Sequence, residues 1–264
     1  MRARKGSAFF VICLLMLVVA PNAIAQTFQF PDTALIVPWG GGAPTGGGPR
    51  DILGSNTFAT TQINVVLSGQ DVTFQIFTNY PLGGTTVVNG IFIPMADLAV
   101  DLDNNGVYEK AVVLTAHGTS PTFGQGLWNG VSWKTSNDLF ASTVIEYGGK
   151  TVSPGDFIDV QISGGTFSSG LASPISTTLV DNTVTNGGNT ETTHTRYDVD
   201  LGNVNTGGPG ADWSHFSFLF GTGTCANDVL LGTVVRVAEP STVLLLGLGL
   251  IGAARVRRRV EMYR

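Results

Sequence analysis

The chain has 264 residues, of which 35 are glycine and only 12% are charged; this composition suits many short strands joined by turns and excludes a protein of long amphipathic helices. Its net charge of −5 conceals an uneven distribution, because residues 26 to 237 hold six basic and seventeen acidic side chains, a balance of −11, while the other eight basic residues lie in the two ends. Such a surface repels nucleic acid and anionic lipid, and basic ends belong to membrane topology.

Arg2, Arg4 and Lys5 precede an apolar run from Ala8 to Ala20, Pro21 breaks it, and Ala23-Ile24-Ala25 offers small residues at the offsets of a signal-peptidase site. Residues 1 to 25 therefore read as a secretory signal peptide handled by the Sec translocon, with cleavage after Ala25. Cys13 leaves with this leader, and the lone Cys225 of the mature chain is expected to be buried.

From Pro38 to Gly54 two glycine triplets with Pro44 and Pro49 prevent a ladder, and the segment reads as a loop. No Gly-Lys-Ser/Thr follows it, so a phosphate cradle is not expected. Alternation then takes over. Ile63, Val65 and Leu67 share one face, and beyond Gly69-Gln70 the pattern resumes with Val72, Phe74 and Ile76, which predicts a hairpin. Further inward sets are Leu98, Val100 and Leu102; Val112 and Leu114; Ile158, Val160 and Ile162; Tyr197, Val199 and Leu201; and Phe216, Phe218 and Phe220. Short strands between regular turn signals predict one all-β domain over residues 26 to 237, a jelly-roll-like β-sandwich. Residues 163 to 195, rich in Ser, Thr, Asn and Gly, are compatible with a long hairpin or with an irregular excursion.

One segment carries possible metal chemistry. Asp101, Asp103 and Asn105 place oxygens at alternate positions before Gly106, with the Val107 carbonyl and Glu109 beyond, as in the first half of a Ca²⁺ loop. Val112 stands where an EF-hand has its bidentate glutamate, and Asn105-Gly106 between apolar strands is also the preferred dipeptide of a type I′ hairpin turn. Both readings stay open, and Ca²⁺ is the only cofactor they suggest.

Aromatic rings on an outer face stack on sugars. If Phe216, Phe218 and Phe220 are core, alternation turns Trp213 and His215 outward, and Trp128 and Trp133 flank an Asn129-Gly130 turn; these three tryptophans are the candidate glycan contacts. For catalysis the residues name no nucleophile. His117-Gly118-Thr119-Ser120-Pro121 reads as a polar loop, Glu146 with Asp156 or Asp159 lacks any spacing argument, and no Cys/His zinc pattern occurs.

The last stretch is the most specific. Glu239-Pro240-Ser241-Thr242, a Leu/Gly-rich apolar run from Val243 to Ala254, and Arg255-Val256-Arg257-Arg258-Arg259 stand in order, a turn, a short helix and a cationic stop. This tail resembles the PEP-CTERM sorting signal of exported bacterial proteins, with Ala238 in the place of the first proline. The resemblance implies that residues 238 to 264 are read by an exosortase through Glu239, Pro240 and Ser241, and that a transient inner-membrane anchor of one short transmembrane helix precedes transfer to the cell surface or matrix. The segments Asp101 to Thr115, Val131 to Asp138 and Cys225 to Leu230 are similar to the ectodomains of that group, which implies no activity. The expectation is a non-catalytic structural protein of an exopolysaccharide setting; a Ca²⁺-assisted glycan-binding module is the alternative and a secreted hydrolase the third reading.

Overall fold

The structure is a computed structural model and describes residues 25–32, 59–86, 92–93, 95–118, 120–134, 145–147, 150–152, 160–186, 189–204, 213, 215–221, 230–236, 247–249 and 251–252. Two compact units divide the chain, Gln26–Arg236 in one and Met1–Ala25 with Val237–Arg264 in the other. The larger unit is all-β. Its first sheet contains β1 (Gln26–Pro31), β2 (Thr60–Ser68), β3 (Asp71–Thr78), β13 (Asn189–Asn203) and β12 (Ser176–Asn186), in that order. The second runs β11 (Ile162–Ser169), β8 (Gly126–Trp133), β7 (Lys110–Val113), β6 (Leu98–Asp101), β14 (His215–Phe220) and β15 (Leu230–Val235). Every pairing is antiparallel, and two small hairpins, β4 (Thr85–Thr86) with β5 (Phe92–Ile93) and β9 (Ile145–Tyr147) with β10 (Lys150–Val152), stand apart.

The period-two pattern sets the register. Ile63, Val65 and Leu67 of β2 face Ile76, Phe74 and Val72 of β3, and all six are buried. Their hairpin closes at Gly69, whose φ of +61° lies in the left-handed region that a side chain would strain. Tyr197, Val199 and Leu201 extend this apolar face across β13. From the second sheet Phe216 and Phe218 meet it: Phe74 lies edge-on to both at 6.2 and 5.6 Å, and Phe30 of β1 packs on Phe218 at 5.0 Å. A Cβ at Gly232 of β15 would collide with the rings of Phe218 and Phe30, so glycine is what lets these aromatics close the sheet edge. Two antiparallel sheets sharing one hydrophobic core are consistent with a β-sandwich. Among the expected inward residues, Ile158 and the Cys225 thiol lie outside the described residues.

One question the sequence leaves open has an answer, and two local expectations need correction. The Ser/Thr-rich stretch whose form the sequence leaves open is a long hairpin, with β12 and β13 paired from Ser176↔Asp198 to Asn186↔Asn189. Asn129-Gly130 is not a turn: β8 runs through it, and Gly130 takes a φ of +54° while Asn129 still pairs with both Lys110 and Thr166. The reason is that a bulge absorbs the extra residue without reversing the strand. Nor does Asn105-Gly106 form a two-residue type I′ turn, because positive φ falls at Asn104 (55°) and Gly106 (86°) and the last described pair is Val100↔Lys110.

In the smaller unit residues 247–249 and 251–252 are helical. No helix among the described residues is long and apolar enough to cross a membrane. The expected signal peptide, Glu239, Pro240, Ser241 and the arginine cluster lie outside the described residues, whereas Ala25 is exposed and directly precedes β1.

Candidate functional site

The loop joining β6 to β7 gathers acidic side chains because β6 ends on Asp101, buried at 2% exposure, and the chain then wraps around its carboxylate. The Gly106 N–H donates to Asp101 Oδ2 at 2.8 Å and the Asn105 N–H to Asp101 Oδ1 at 3.3 Å. Asp103 Oδ1 also accepts the Asn105 N–H (3.2 Å), and its Oδ2 accepts the Asn105 amide (2.9 Å). Asn105 Oδ1 in turn accepts the Val107 N–H at 2.7 Å. Glu109 returns from the far side, where its Oε1 accepts the Leu102 N–H at 2.9 Å. Side-chain acceptors thus displace the simple hairpin turn, which is the physical reason for the loop observed.

Asp101, Asp103 and Glu109 each bring a carboxylate oxygen to within 4.8 Å of the others. Such proximity is unfavourable for three anions. Glu109 responds, its carboxyl pushed up by partial burial, held back by the backbone N–H groups it accepts, and raised further by the charges of Asp101 and Asp103. Burial, with the Asp101 charge second, pushes the Tyr108 phenol up to about 12. The donor set is all oxygen and suits a hard cation such as Ca²⁺. Asn105, the fourth residue of the predicted set, also uses its amide inside the loop. Residues the sequence did not flag support the loop from outside: the Ser217 hydroxyl of β14 bonds to Asn104 and to Thr233 of β15.

The aromatic candidates are placed differently from one another. Trp213 does not face outward; it is 3% exposed, with its ring 5.1 Å from Phe216. It precedes β14, which begins at His215, so strand alternation does not extend to it, while His215 itself is exposed. Trp133 is also buried, its indole N–H donating to the Tyr108 carbonyl at 2.7 Å. Trp128 is half-buried between Phe123 (5.3 Å) and the exposed Phe167 (5.4 Å), with its indole N–H on the Gly124 carbonyl.

A second buried acid was not visible in the sequence. Asp97, fully buried, accepts His117 Nε2 at 2.9 and 3.1 Å and the Ile162 N–H at 2.9 Å, while its own N–H donates to the Val160 carbonyl. The His117 ring lies 5.4 Å from Phe123. His117 is therefore a clasp between the loop it heads and the strands β6 and β11. Loss of water raises the Asp97 carboxyl above its ordinary range, against the opposing pull of His117 and the Ile162 N–H. His194, by contrast, sits on the surface with Nδ1 2.8 Å from Asp181.

Against known families, a family model described as the PEP-CTERM protein-sorting motif matches residues 237–259. No curated protein and no solved structure matches the chain. The C-terminal tail is thus a PEP-CTERM sorting motif, the kind that marks an exported, membrane-anchored protein for recognition and processing by an exosortase.

Proposed function

We propose that this protein is a non-catalytic, jelly-roll-like β-sandwich delivered by its signal peptide through the Sec translocon. In this reading it is held at the inner membrane by the segment after Ser241 and released by an exosortase to the cell surface or an exopolysaccharide matrix. The observation that carries the reading is the sorting motif at 237–259, one residue beyond a β unit that ends at Arg236. Glu239, Pro240 and Ser241 are the residues the enzyme reads. The test is the mature C-terminal mass of the full chain from strains with and without their exosortase. A shorter chain in the first strain alone supports the reading; identical masses overturn it.

A second reading adds Ca²⁺ binding by Asp101, Asp103 and Glu109. It is favoured by three carboxylates brought within 4.8 Å of one another, with the Glu109 carboxyl raised above its ordinary range by partial burial first and by the charges of Asp101 and Asp103 in smaller part. When bound, the ion would neutralise the cluster and fix the loop, and Asp101 and Glu109 would keep their backbone hydrogen bonds through their other lone pairs. Calorimetric titration of the full chain with Ca²⁺ tests it. No heat and no rise in melting temperature at millimolar Ca²⁺ would remove the metal.

A further inference from the structure

Antiparallel sheets that do not close into a barrel leave edges, and each free edge displays unpaired N–H and C=O groups that template another strand. Among the described residues the two sheets have four such edges, β1, β12, β11 and β15. Three of them are blunted. β1 is six residues long and ends at Pro31, which has no N–H to offer. β11 is broken by register shifts around Gly164-Gly165, and β15 is a short strand followed by Arg236.

β12 is different. It spans eleven residues, Ser-Thr-Thr-Leu-Val-Asp-Asn-Thr-Val-Thr-Asn, rich in β-branched residues and without Pro, Gly, Lys or Arg. Among the described residues it has a hydrogen-bonded strand on one side only, and its Leu179 side chain is 85% exposed. The single irregularity is a register shift between Leu179 and Asn182. We propose that β12 is a homotypic pairing edge, along which a second copy of this chain adds its own β12 antiparallel to form one continuous sheet across the two molecules.

Charge and hydroxyl chemistry select that occupant. The unit is strongly acidic, so two copies repel over most of their surface, yet β12 carries one charged residue, Asp181, and His194 lies against it at 2.8 Å. A copy approaching along this edge follows the least repulsive line. The hydroxyls of Thr183 and Thr185 already bond to those of Thr192 and Thr190 at 2.9 and 3.0 Å, in pairs where either oxygen is able to donate. A copy brings the same hydroxyls, which serve as donor or acceptor as required, whereas a basic partner finds only one aspartate. A tail that gathers copies on one membrane raises their effective concentration and suits a contact that is weak in dilute solution.

Sedimentation velocity of the full chain in detergent, over a concentration series, tests the proposal against Leu179→Lys/Thr183→Lys. Both side chains are exposed, so the lysines leave the core alone and place like charges along the approaching edges. The expected result is a wild-type dimer and, in the variant, association at least about tenfold weaker with an unchanged far-ultraviolet dichroism spectrum. A wild type that stays monomeric throughout overturns the proposal, as does a variant that dimerises equally well, since association would then run through another surface. Should the variant misfold, hydrogen exchange of the wild type decides: protection of residues 176–186 that rises with concentration supports edge pairing, and protection independent of concentration overturns it.

Discussion

Two buried aspartates bracket the four-residue strand β6, Asp97 just before it and Asp101 at its end, and the chain treats them in opposite ways. Asp97 is met by a histidine and a backbone N–H, so its charge or its proton is matched inside the protein. Asp101 is met by two backbone N–H groups and then by two more acids, Asp103 and Glu109. Burial alone does not separate a structural carboxylate from a ligand. The partners do: a desolvated carboxylate with a cationic or hydrogen-bonding neighbour is complete, whereas one ringed by like charges gains from a cation supplied from outside.

The largest effect should come from breaking the completed side. Asp97→Ala leaves the buried Ile162 N–H without its acceptor and His117 without its anchor. A loss of about 3 kcal/mol in denaturant unfolding is expected, in the range for removing one partner of a buried pair. Asp97→Asn keeps an acceptor oxygen and should lose less. If Asp97→Ala unfolds at the wild-type midpoint, the clasp is not structural and the contrast between the two aspartates collapses.

The opposite end of β6 should respond to metal. Millimolar Ca²⁺ is expected to raise the melting temperature of the wild type, by an amount equivalent to about 2.7 kcal/mol once the ion reaches a hundred times its dissociation constant. Asp103→Ala should abolish the rise while leaving the metal-free melting temperature nearly unchanged, because Asp103 is exposed and, among the described residues, its hydrogen bonds lie within the loop. An equal rise in wild type and Asp103→Ala would place any bound ion elsewhere, and the asymmetry would then have no functional meaning.

Much of this contrast was legible in part. Apolar alternation identifies β2, β3, β13 and β14 because each sets its buried apolar side chains at period two, which leaves a plain trace. Asp101, Asp103 and Glu109 were legible because their spacing is local. Asp97 was not, since its partners lie 20 and 65 residues away in sequence and an isolated aspartate before a strand carries no pattern. Alternation misplaces Trp213 for a related reason: it does not hold two residues before β14, in a turn, where packing on Phe216 decides the orientation. Asn105-Gly106 misled because the Asp101 carboxylate competes for the N–H groups that a hairpin turn would leave to the ladder. The edge character of β12 is invisible without sheet order, since nothing in its residues distinguishes an edge strand from a central one.

The smallest effect, and the finest probe of the comparison, is the pH dependence of the metal-free protein. The Glu109 carboxyl is raised above its value of 4.5 in an unfolded chain, so over the interval between the two values the folded state binds more protons than the unfolded one. Stability from this group is therefore fully present below pH 4.5 and is lost as pH rises through the folded value. Asp97 is raised as well and slopes in the same direction from 3.8 upward, so the wild-type curve alone does not separate the two ends of β6. Glu109→Gln does separate them. It removes one of three clustered anions and should lift metal-free stability near neutral pH by no more than a few tenths of a kcal/mol, because Glu109 is partly exposed and screened by water. The slope above pH 4.5 should flatten while the Asp97 contribution persists. If the substitution lowers neutral-pH stability instead, the Glu109 bond to the Leu102 N–H outweighs the repulsion. The acidic loop would then be as self-sufficient as the clasp at the other end of the strand.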